Sequence, residues 1–315
     1  MILDFVSEKG YNQLSTEKGA AEMKNMLFII NSASGKLALE DTLMNVVEIF
    51  SKADYDVTIH LTKGEGDIES LLKETSGRYE LIVCCGGDGT LNIVAGTVFK
   101  EGLDVRIGYI PGGTTNDFAA SHKIDTVTTV AATQIAEGIE REVDLGILNG
   151  NPFVYVAAFG MFSDVSYQTD REMKKVMGHA AYVFEGIKSF AKAKPYPLKI
   201  EYDGKTVEGD FIYGMISNSR RIGGFELPIL KNILYDDGEM EVTLVKKPKT
   251  ALETQKLINC LINQAPDDET VYMFKTAGLK ITSENDIPWS LDGEFGGIFS
   301  DIDISVECAA IKMIF

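Results

Sequence analysis

One stretch decides the fold of this chain: Cys85-Gly86-Gly87-Asp88-Gly89-Thr90-Leu91-Asn92. Before it, Tyr79 to Cys85 form a short, continuous apolar run, which predicts a strand that is buried on both faces. After it, Leu91 to Phe99 carry apolar residues at helical spacing. In such a strand–turn–helix unit, backbone N–H groups converge at the turn, and the helix N-terminus adds a positive partial charge. The stretch therefore predicts a place that holds phosphate.

Asp88 puts a carboxylate inside this turn, where it would repel a phosphate unless a divalent cation lay between the two groups. The sequence therefore predicts that Asp88 acts through Mg²⁺ on a nucleotide. The alternative is that Gly86, Gly87 and Gly89 only permit a tight turn with φ > 0. Three glycines in four positions exceed what such a turn needs.

Neither of two common nucleotide-binding loops matches this chain. A dinucleotide fingerprint counted from Gly87 requires glycine where Asn92 stands. A Walker loop requires GxxxxGK followed by Ser or Thr, but Ser34-Gly35-Lys36 is followed by Leu37, and Ile30 stands where the first glycine should be. The predicted phosphate site is therefore of another type.

The composition predicts a soluble globular protein, since 45% of the 315 residues are hydrophobic and 24% are charged. The net charge of −17 argues against general nucleic-acid binding, which needs clustered Lys and Arg.

The four cysteines have neither disulfide nor zinc spacing, and the three histidines show no ligand spacing. We therefore expect a protein of the reducing cytosol without a zinc site. No apolar run approaches the ~20 residues that cross a bilayer. Residues 1–23 lack a signal-peptide core and are expected to be an extension.

From residue 24 to residue 146, alternating strand and helix signals predict an α/β domain with an open, mostly parallel sheet. Ligands bind such sheets at the carboxyl ends of the strands, and polar loops follow all four predicted strands. We therefore expect this domain to bind a nucleotide there. The predicted strands and helices are Met26–Ile30, Leu37–Ala53 (helix), Val57–Leu61, Ile68–Thr75 (helix), Tyr79–Cys85, Leu91–Phe99 (helix) and Val105–Ile110.

From residue 147 to residue 315, short strands separated by turns predict a mainly β, sandwich-like second domain. The boundary is predicted within Asp144–Gly150, where Gly146 and Asn149-Gly150 are turn signals. Two helices are predicted, around Arg171–Lys192 and Thr250–Ile262. The predicted strands are Asn151–Ala158, Leu198–Tyr202, Asp210–Ser217, Glu239–Val245, Gly278–Thr282, Trp289–Leu291 and Asp303–Cys308.

Five motifs follow one another along the chain: Gly86-Gly87-Asp88-Gly89-Thr90, Gly112-Gly113-Thr114-Thr115-Asn116-Asp117-Phe118, Gly223-Gly224-Phe225, Asp236-Asp237-Gly238 and Leu291-Asp292-Gly293-Glu294. In this order they resemble the bacterial diacylglycerol (lipid) kinase family, from about residue 26 to the C-terminus. Sphingosine kinases and NAD kinases are relatives. The resemblance implies that the first domain binds ATP, that the β-rich domain helps to form the lipid site, and that the active centre lies between them.

The resemblance also implies roles for individual residues. Glu294 would be the base that takes the proton from the lipid hydroxyl, and Asp88 would be linked to magnesium in a carboxylate and water network with Asp117 and Asp144. A second, structural Mg²⁺ would be held by the carboxylate of Asp237 and the main-chain carbonyls of Leu234 and Glu239. Family members often have proline where this chain has Ser32, which costs this loop some rigidity. The ATP site would comprise Asn31, Ser32, Ala33, Ser34, Gly35, Lys36, Thr62, Gly86, Gly87, Asp88, Gly89, Thr90, Leu91, Asn92, Thr114, Asp117 and Asp144.

Local structure offers an alternative for three of these residues. In this alternative, Glu294 is only an ordinary carboxylate at the hairpin turn Asp292-Gly293-Glu294. Asp117 would be a helix cap. Asp237 would belong to a simple hairpin turn. The residues alone leave these alternatives open.

Membrane contact is predicted from one basic stretch, Arg171 to Lys194. Its Lys and Arg residues alternate with apolar side chains, which is typical either of a helix that rests on anionic lipid or of a solvated helix with one buried face. Arg220 and Arg221 would contact a phosphate or headgroup, or would simply be exposed.

We therefore expect a kinase that uses ATP and Mg²⁺ to phosphorylate the hydroxyl of diacylglycerol or a similar lipid, giving phosphatidic acid or its analogue. It would be cytoplasmic and meet its lipid transiently at the inner face of the membrane. We expect it to bind no nucleic acid, and the sequence leaves open whether it forms a homodimer. One alternative is an NAD kinase-like enzyme, although the chain lacks the Asn-Glu and Thr-Pro-Thr-Gly stretches of that branch. The other is a non-catalytic nucleotide- or lipid-binding regulator, although both Asp88 and Glu294 are present.

Overall fold

The computed structural model describes residues 23–31, 42–160, 193–226, 233–263 and 269–315. Three predictions concern residues that lie wholly or mainly outside these ranges: the N-terminal extension, the loop from Ser32 to Lys36, and the basic stretch from Arg171 to Lys194. Each of them stays a prediction.

The first part of the chain alternates strands and helices. The strands β2, β1, β3 and β4 lie side by side in this order, and each neighbouring pair is parallel. All six residues of β3 are buried, as expected for a strand inside a parallel sheet. The predicted α/β arrangement with a mostly parallel sheet is confirmed. Its elements are β1 (Lys24–Ile30), α1 (Leu43–Lys52), β2 (Tyr55–Leu61), α2 (Asp67–Glu74), β3 (Leu81–Gly86), α3 (Asp88–Lys100), β4 (Arg106–Pro111), α4 (Asp117–His122) and α5 (Thr128–Glu137).

The later part of the chain is built mainly of strands, as predicted. One apolar core surrounds the parallel strands, and a second core surrounds Trp289. Within the described ranges, no helix combines the length and apolarity that crossing a bilayer requires. The elements are β5 (Glu140–Leu148), β6 (Asn151–Phe153), β7 (Val156–Gly160), β8 (Tyr196–Tyr202), β9 (Lys205–Ser217), β10 (Arg221–Ile222), β11 (Phe225–Glu226), β12 (Met240–Lys246), α6 (Ala251–Asn263), β13 (Val271–Thr276), β14 (Gly278–Leu291) and β15 (Glu294–Ile314).

The last strand, β15, joins the two parts of the chain into one sheet, to which thirteen of the described strands belong. It pairs antiparallel with β14 and β5, and its end, Lys312 to Ile314, pairs in parallel with Arg106 to Gly108 of β4. A register shift between Glu307 and Ile311, with Ala309 at φ +53°, interrupts the ladder to β5. The C-terminal tail therefore returns to the parallel sheet.

The turn predicted at Gly146 is wrong, because this residue lies inside β5. Its missing side chain makes room for the ring of Phe153, which a Cβ at this position would overlap. The turn at Asn149-Gly150 is present, with φ of +47° and +82°, and it joins β5 to β6 as a hairpin. The position of a domain boundary in this region stays a prediction.

The predicted strands in the later part are too short. The strands at Gly278–Thr282 and Trp289–Leu291 are both parts of β14, and the strand at Asp303–Cys308 is part of β15. The polar residues between Thr282 and Ile287 break the apolar alternation, and the ladder to β15 shifts register there without ending β14. Conversely, the single strand predicted at Asn151–Ala158 is divided into β6 and β7.

Candidate active site

Two glycine-rich turns pack against each other at the carboxyl ends of β3 and β4. A Cβ on Gly113 would lie 2.6 Å from the Cα of Gly87, and a Cβ on Gly86 would lie 2.5 Å from Oγ1 of Thr90. The N–H of Gly112 donates to the carbonyl of Gly86 at 2.7 Å. Gly86, Gly87 and Gly89 do not have positive φ, so the alternative of a turn that needs φ > 0 is wrong. For Gly86 and Gly113, close approach of neighbouring atoms is what requires glycine.

Asp88 is the first residue of α3, and its carboxylate faces the start of α4. Its Oδ2 accepts the N–H of Asp117 at 3.0 Å, and its Oδ1 accepts the N–H of Phe118 at 3.4 Å. Burial raises the pKa of Asp88 to about 6, with a smaller contribution from the charge of Asp117 and against the effect of these N–H groups. The protein alone thus stabilises the ionised carboxylate incompletely, and a cation beside Asp88 would favour it.

Asp117 connects the two parts of the chain. Its side chain is buried, and its carboxylate accepts the N–H of Gly224 at 2.9 and 3.2 Å. The N-cap of α4 is Asn116, whose amide instead bonds to the backbone of Gly113 at 2.9 Å. The alternative of a capping role for Asp117 is therefore wrong. Its carboxylate ties the second glycine turn to the Gly223-Gly224 turn.

Three polar side chains from different elements meet beside the first glycine turn. The amide Nδ2 of Asn31 donates to Oγ1 of Thr90 at 2.8 Å, and Oγ1 of Thr62 donates to Oδ1 of Asn31 at 3.5 Å. Asn31 follows β1, Thr62 follows β2, and Thr90 lies in the first turn of α3. The structure therefore brings these three predicted site residues together.

Glu294 begins β15 at the tip of the hairpin between β14 and β15, and it is exposed. Its Cγ and Oε1 lie 3.5 and 3.6 Å from where a Cβ on Gly89 would be. The hairpin turn at Asp292-Gly293 exists, with φ of +48° and +86°, and it carries Glu294 to this position. A carboxylate from the later part of the chain thus lies over the N-terminus of α3, at the residue that follows Asp88.

Asp292 is a site residue that the sequence motif contained but for which we predicted no role. It is buried, and its carboxylate accepts three backbone N–H groups, from Val154 at 2.6 Å and from Tyr155 and Val156 at 2.9 Å. Burial raises its pKa to about 7, and the charge of Asp88 adds to the shift. These bonds hold the hairpin that carries Glu294. An aspartate before glycine in a hairpin is an ordinary turn residue, so no sequence signal distinguished it.

Asp144 is a predicted site residue whose carboxylate bonds to the backbone of two later segments of the chain. Its carboxylate accepts the N–H groups of Gly238 and Ala309, both at 2.7 Å, and burial raises its pKa with a contribution from Asp237. The implied carboxylate and water network of the three aspartates stays a prediction. Asp88 and Asp117 are together at the glycine turns, and Asp144 holds the turn that contains Asp237.

The remaining predicted residues have different surroundings. Leu91 is buried in the core, so only its backbone is available to a ligand. The Oδ1 of Asn92 lies 3.7 Å from where a Cβ on Gly96 would be, one turn further along α3. Thr114 is exposed in the second glycine turn, and Leu234 is exposed beside the Asp237 turn.

Two family models match this chain. One is described as a diacylglycerol kinase catalytic domain and matches residues 25–148. The other is described as a YegS C-terminal NAD kinase beta sandwich-like domain and matches residues 156–315. The first match contains both glycine turns, and the second contains Gly224, Asp292 and Glu294.

The chain is also similar to individual proteins over most of its length. The diacylglycerol kinase of Bacillus subtilis strain 168 is 30% identical over 278 residues, which cover 88% of this chain and 91% of that protein. The diacylglycerol kinase of Staphylococcus carnosus strain TM300 is 30% identical over 276 residues, which cover 87% of this chain and 90% of that protein. A crystal structure of a diacylglycerol kinase from Bacillus anthracis strain Sterne matches with a TM-score of 0.77 at 26% identity, covering 94% of this chain and 98% of that chain.

Proposed function

This chain belongs to the diacylglycerol kinase family and is a lipid kinase; from this premise we propose that it uses ATP and Mg²⁺ to phosphorylate the hydroxyl of diacylglycerol or a similar lipid. The product would be phosphatidic acid or its analogue. One observation supports the proposal: the carboxylate of Glu294 lies over Gly89, the residue that follows Asp88 in the first glycine motif. The proposed base for the acceptor hydroxyl, Glu294, therefore lies close to the proposed phosphate-binding turn.

The residues at the two turns suit a triphosphate with its magnesium ion. Gly87 and Gly113 touch through their backbones, which leaves no side chain between the turns. Backbone N–H groups at a helix N-terminus are good phosphate ligands. Asp88 supplies a carboxylate oxygen, which hard Mg²⁺ prefers, and when bound this ion would neutralise phosphate charge.

In the proposed reaction, the oxygen of the lipid hydroxyl attacks the γ-phosphorus of ATP. A new O–P bond forms, the bond from the γ-phosphorus to the β–γ bridging oxygen breaks, and ADP leaves with that electron pair. Glu294 takes the hydroxyl proton, which it later returns to water. The two glycine turns hold the phosphates in line with the acceptor.

Two exposed apolar residues support access of a lipid from a membrane surface. Phe295 is 69% exposed and Ile298 is 55% exposed, and both follow Glu294 on β15. We propose that these two side chains face lipid when the enzyme, coming from the cytoplasm, binds transiently to the inner face of the membrane. A homodimer and the absence of nucleic-acid binding stay predictions.

A substrate panel tests the proposed function. We expect ATP consumption with diacylglycerol in mixed micelles, in the presence of MgCl₂, and none with NAD; a phosphatidic acid product would be identified by mass spectrometry. Consumption with NAD but not with lipid would favour the NAD kinase-like alternative. ATP binding without turnover on any lipid in the panel would favour the regulator.

Asp88→Asn tests the link between this carboxylate and magnesium. The amide keeps the shape of the side chain but removes its charge, so we expect half-maximal activity to need about 10-fold more Mg²⁺. The measurement is a Mg²⁺ titration at saturating ATP and lipid. Asp104→Asn is a matched control, because that carboxylate is 88% exposed and pairs with Lys312 on the surface. An unchanged Mg²⁺ requirement in Asp88→Asn would contradict the assignment.

A further inference from the structure

A lysine ammonium lies on the carboxylate that the family resemblance assigns to a structural metal ion. The Nζ of Lys275 is 2.9 Å from Oδ2 of Asp237 and 3.1 Å from Oε1 of Glu241. The other oxygen of Asp237, Oδ1, accepts the N–H of Glu239 at 3.2 Å. Both oxygens of the Asp237 carboxylate therefore already have a donor from the protein.

The strand register fixes the lysine at this place. Lys275 of β13 is directly opposite Glu241 of β12, so the two side chains share one face of the sheet. Glu241 is buried, whereas Lys275 and Asp237 are partly exposed. The pairing of β12 with β13 thus places a cation at the turn that contains Asp237.

A divalent cation fits this position poorly. Magnesium binds oxygen at about 2.1 Å. An ion on Oδ2 of Asp237 would therefore lie no more than about 5 Å from the Lys275 ammonium, which is 2.9 Å from the same oxygen. Two cations this close repel each other strongly.

We propose that the ammonium of Lys275 replaces the structural divalent cation in this chain, by forming ion pairs with both Asp237 and Glu241. The turn then needs no metal ion to keep its shape. Gly238 and its bond to Asp144 stay in place through contacts within the chain. The inference concerns the folded protein alone and does not depend on the proposed reaction.

Thermal unfolding of the full chain without nucleotide tests this inference. We expect the Tm of the wild type to be the same, within about 1 °C, in excess EDTA and in millimolar MgCl₂. Lys275→Met should lower the Tm in EDTA by about 5 °C, because it leaves buried Glu241 without its cation. Because the variant frees the carboxylates, MgCl₂ should restore part of this loss. The matched control is Lys280→Met, since Lys280 forms an exposed ion pair with Asp303 and its loss should change the Tm by less than about 1 °C.

A second measurement serves if Lys275→Met fails to fold. Binding of Mn²⁺ to the wild type without nucleotide, followed by electron paramagnetic resonance, should be unaffected by Asp237→Asn. A Mn²⁺ site that Asp237→Asn abolishes would overturn the inference. A wild-type Tm that rises with MgCl₂, or a folded Lys275→Met variant whose Tm is unchanged or does not respond to MgCl₂, would overturn it too.

Discussion

Replacing Glu294 with glutamine should lower kcat by about 10³-fold and leave the fold and nucleotide binding close to those of the wild type. Glutamine has nearly the same shape as glutamate but does not accept the proton of the lipid hydroxyl. The residue is exposed at the hairpin tip, and its Cγ and Oε1 lie 3.5 and 3.6 Å from where a Cβ on Gly89 would be. The change therefore removes the base without leaving a cavity or an unpaired buried group.

The measurement is single-turnover kinetics with radiolabelled ATP and diacylglycerol micelles, with ATP binding measured in parallel by calorimetry. Glu307→Gln is a matched control, because Glu307 is also an exposed glutamate on β15. We expect this control to keep the wild-type kcat. If Glu294→Gln also kept it, Glu294 would lose the role of base, although the family assignment would stand.

Asp292→Asn should lower the free energy of unfolding by about 1–3 kcal/mol and reduce kcat by about 10²-fold. The carboxylate offers two oxygens to three N–H groups, whereas an amide offers one oxygen and turns an NH₂ group towards a backbone donor. The hairpin that carries Glu294 then loses part of its attachment to Val154–Val156. Because Glu294 must be placed accurately over Gly89, a small displacement of the hairpin lowers the rate.

Urea denaturation and steady-state kinetics measure the two effects separately. Asp301→Asn is a suitable control, because this aspartate is exposed on neighbouring β15 and its replacement should change the stability by less than about 0.5 kcal/mol. A variant at position 292 with wild-type stability and wild-type kcat would contradict the role that we assign to Asp292. Loss of stability with full kcat would limit Asp292 to a structural role.

Much of the parallel sheet was predictable because its signals are local. The apolar run of β3, the glycine turn after it and the helical spacing of α3 lie within about twenty consecutive residues. The order of the five motifs was enough to recognise the diacylglycerol kinase family, which the comparisons confirm. By contrast, β14 and β15 were predicted as fragments, because polar residues interrupt their apolar alternation.

The hydrogen-bond partners of these aspartates were not predictable from local patterns. Asp144 bonds to Ala309, which is 165 residues later, at a register shift of β15 that no turn residue signals. Asp117 bonds to Gly224 across 107 residues. Asp292 bonds to backbone groups that precede it by 136 to 138 residues. Each contact depends on the pairing of distant strands.

By itself, the sequence determined the parallel sheet, the two glycine turns and the family of this enzyme. These features follow from side-chain periodicity and from backbone sterics, which act between near neighbours in the chain. Only the tertiary structure decided that Glu294 lies over Gly89, that Asp292 holds its hairpin and that Lys275 lies on Asp237. The reason is that the register between remote strands, set by the whole sheet, brings these side chains together.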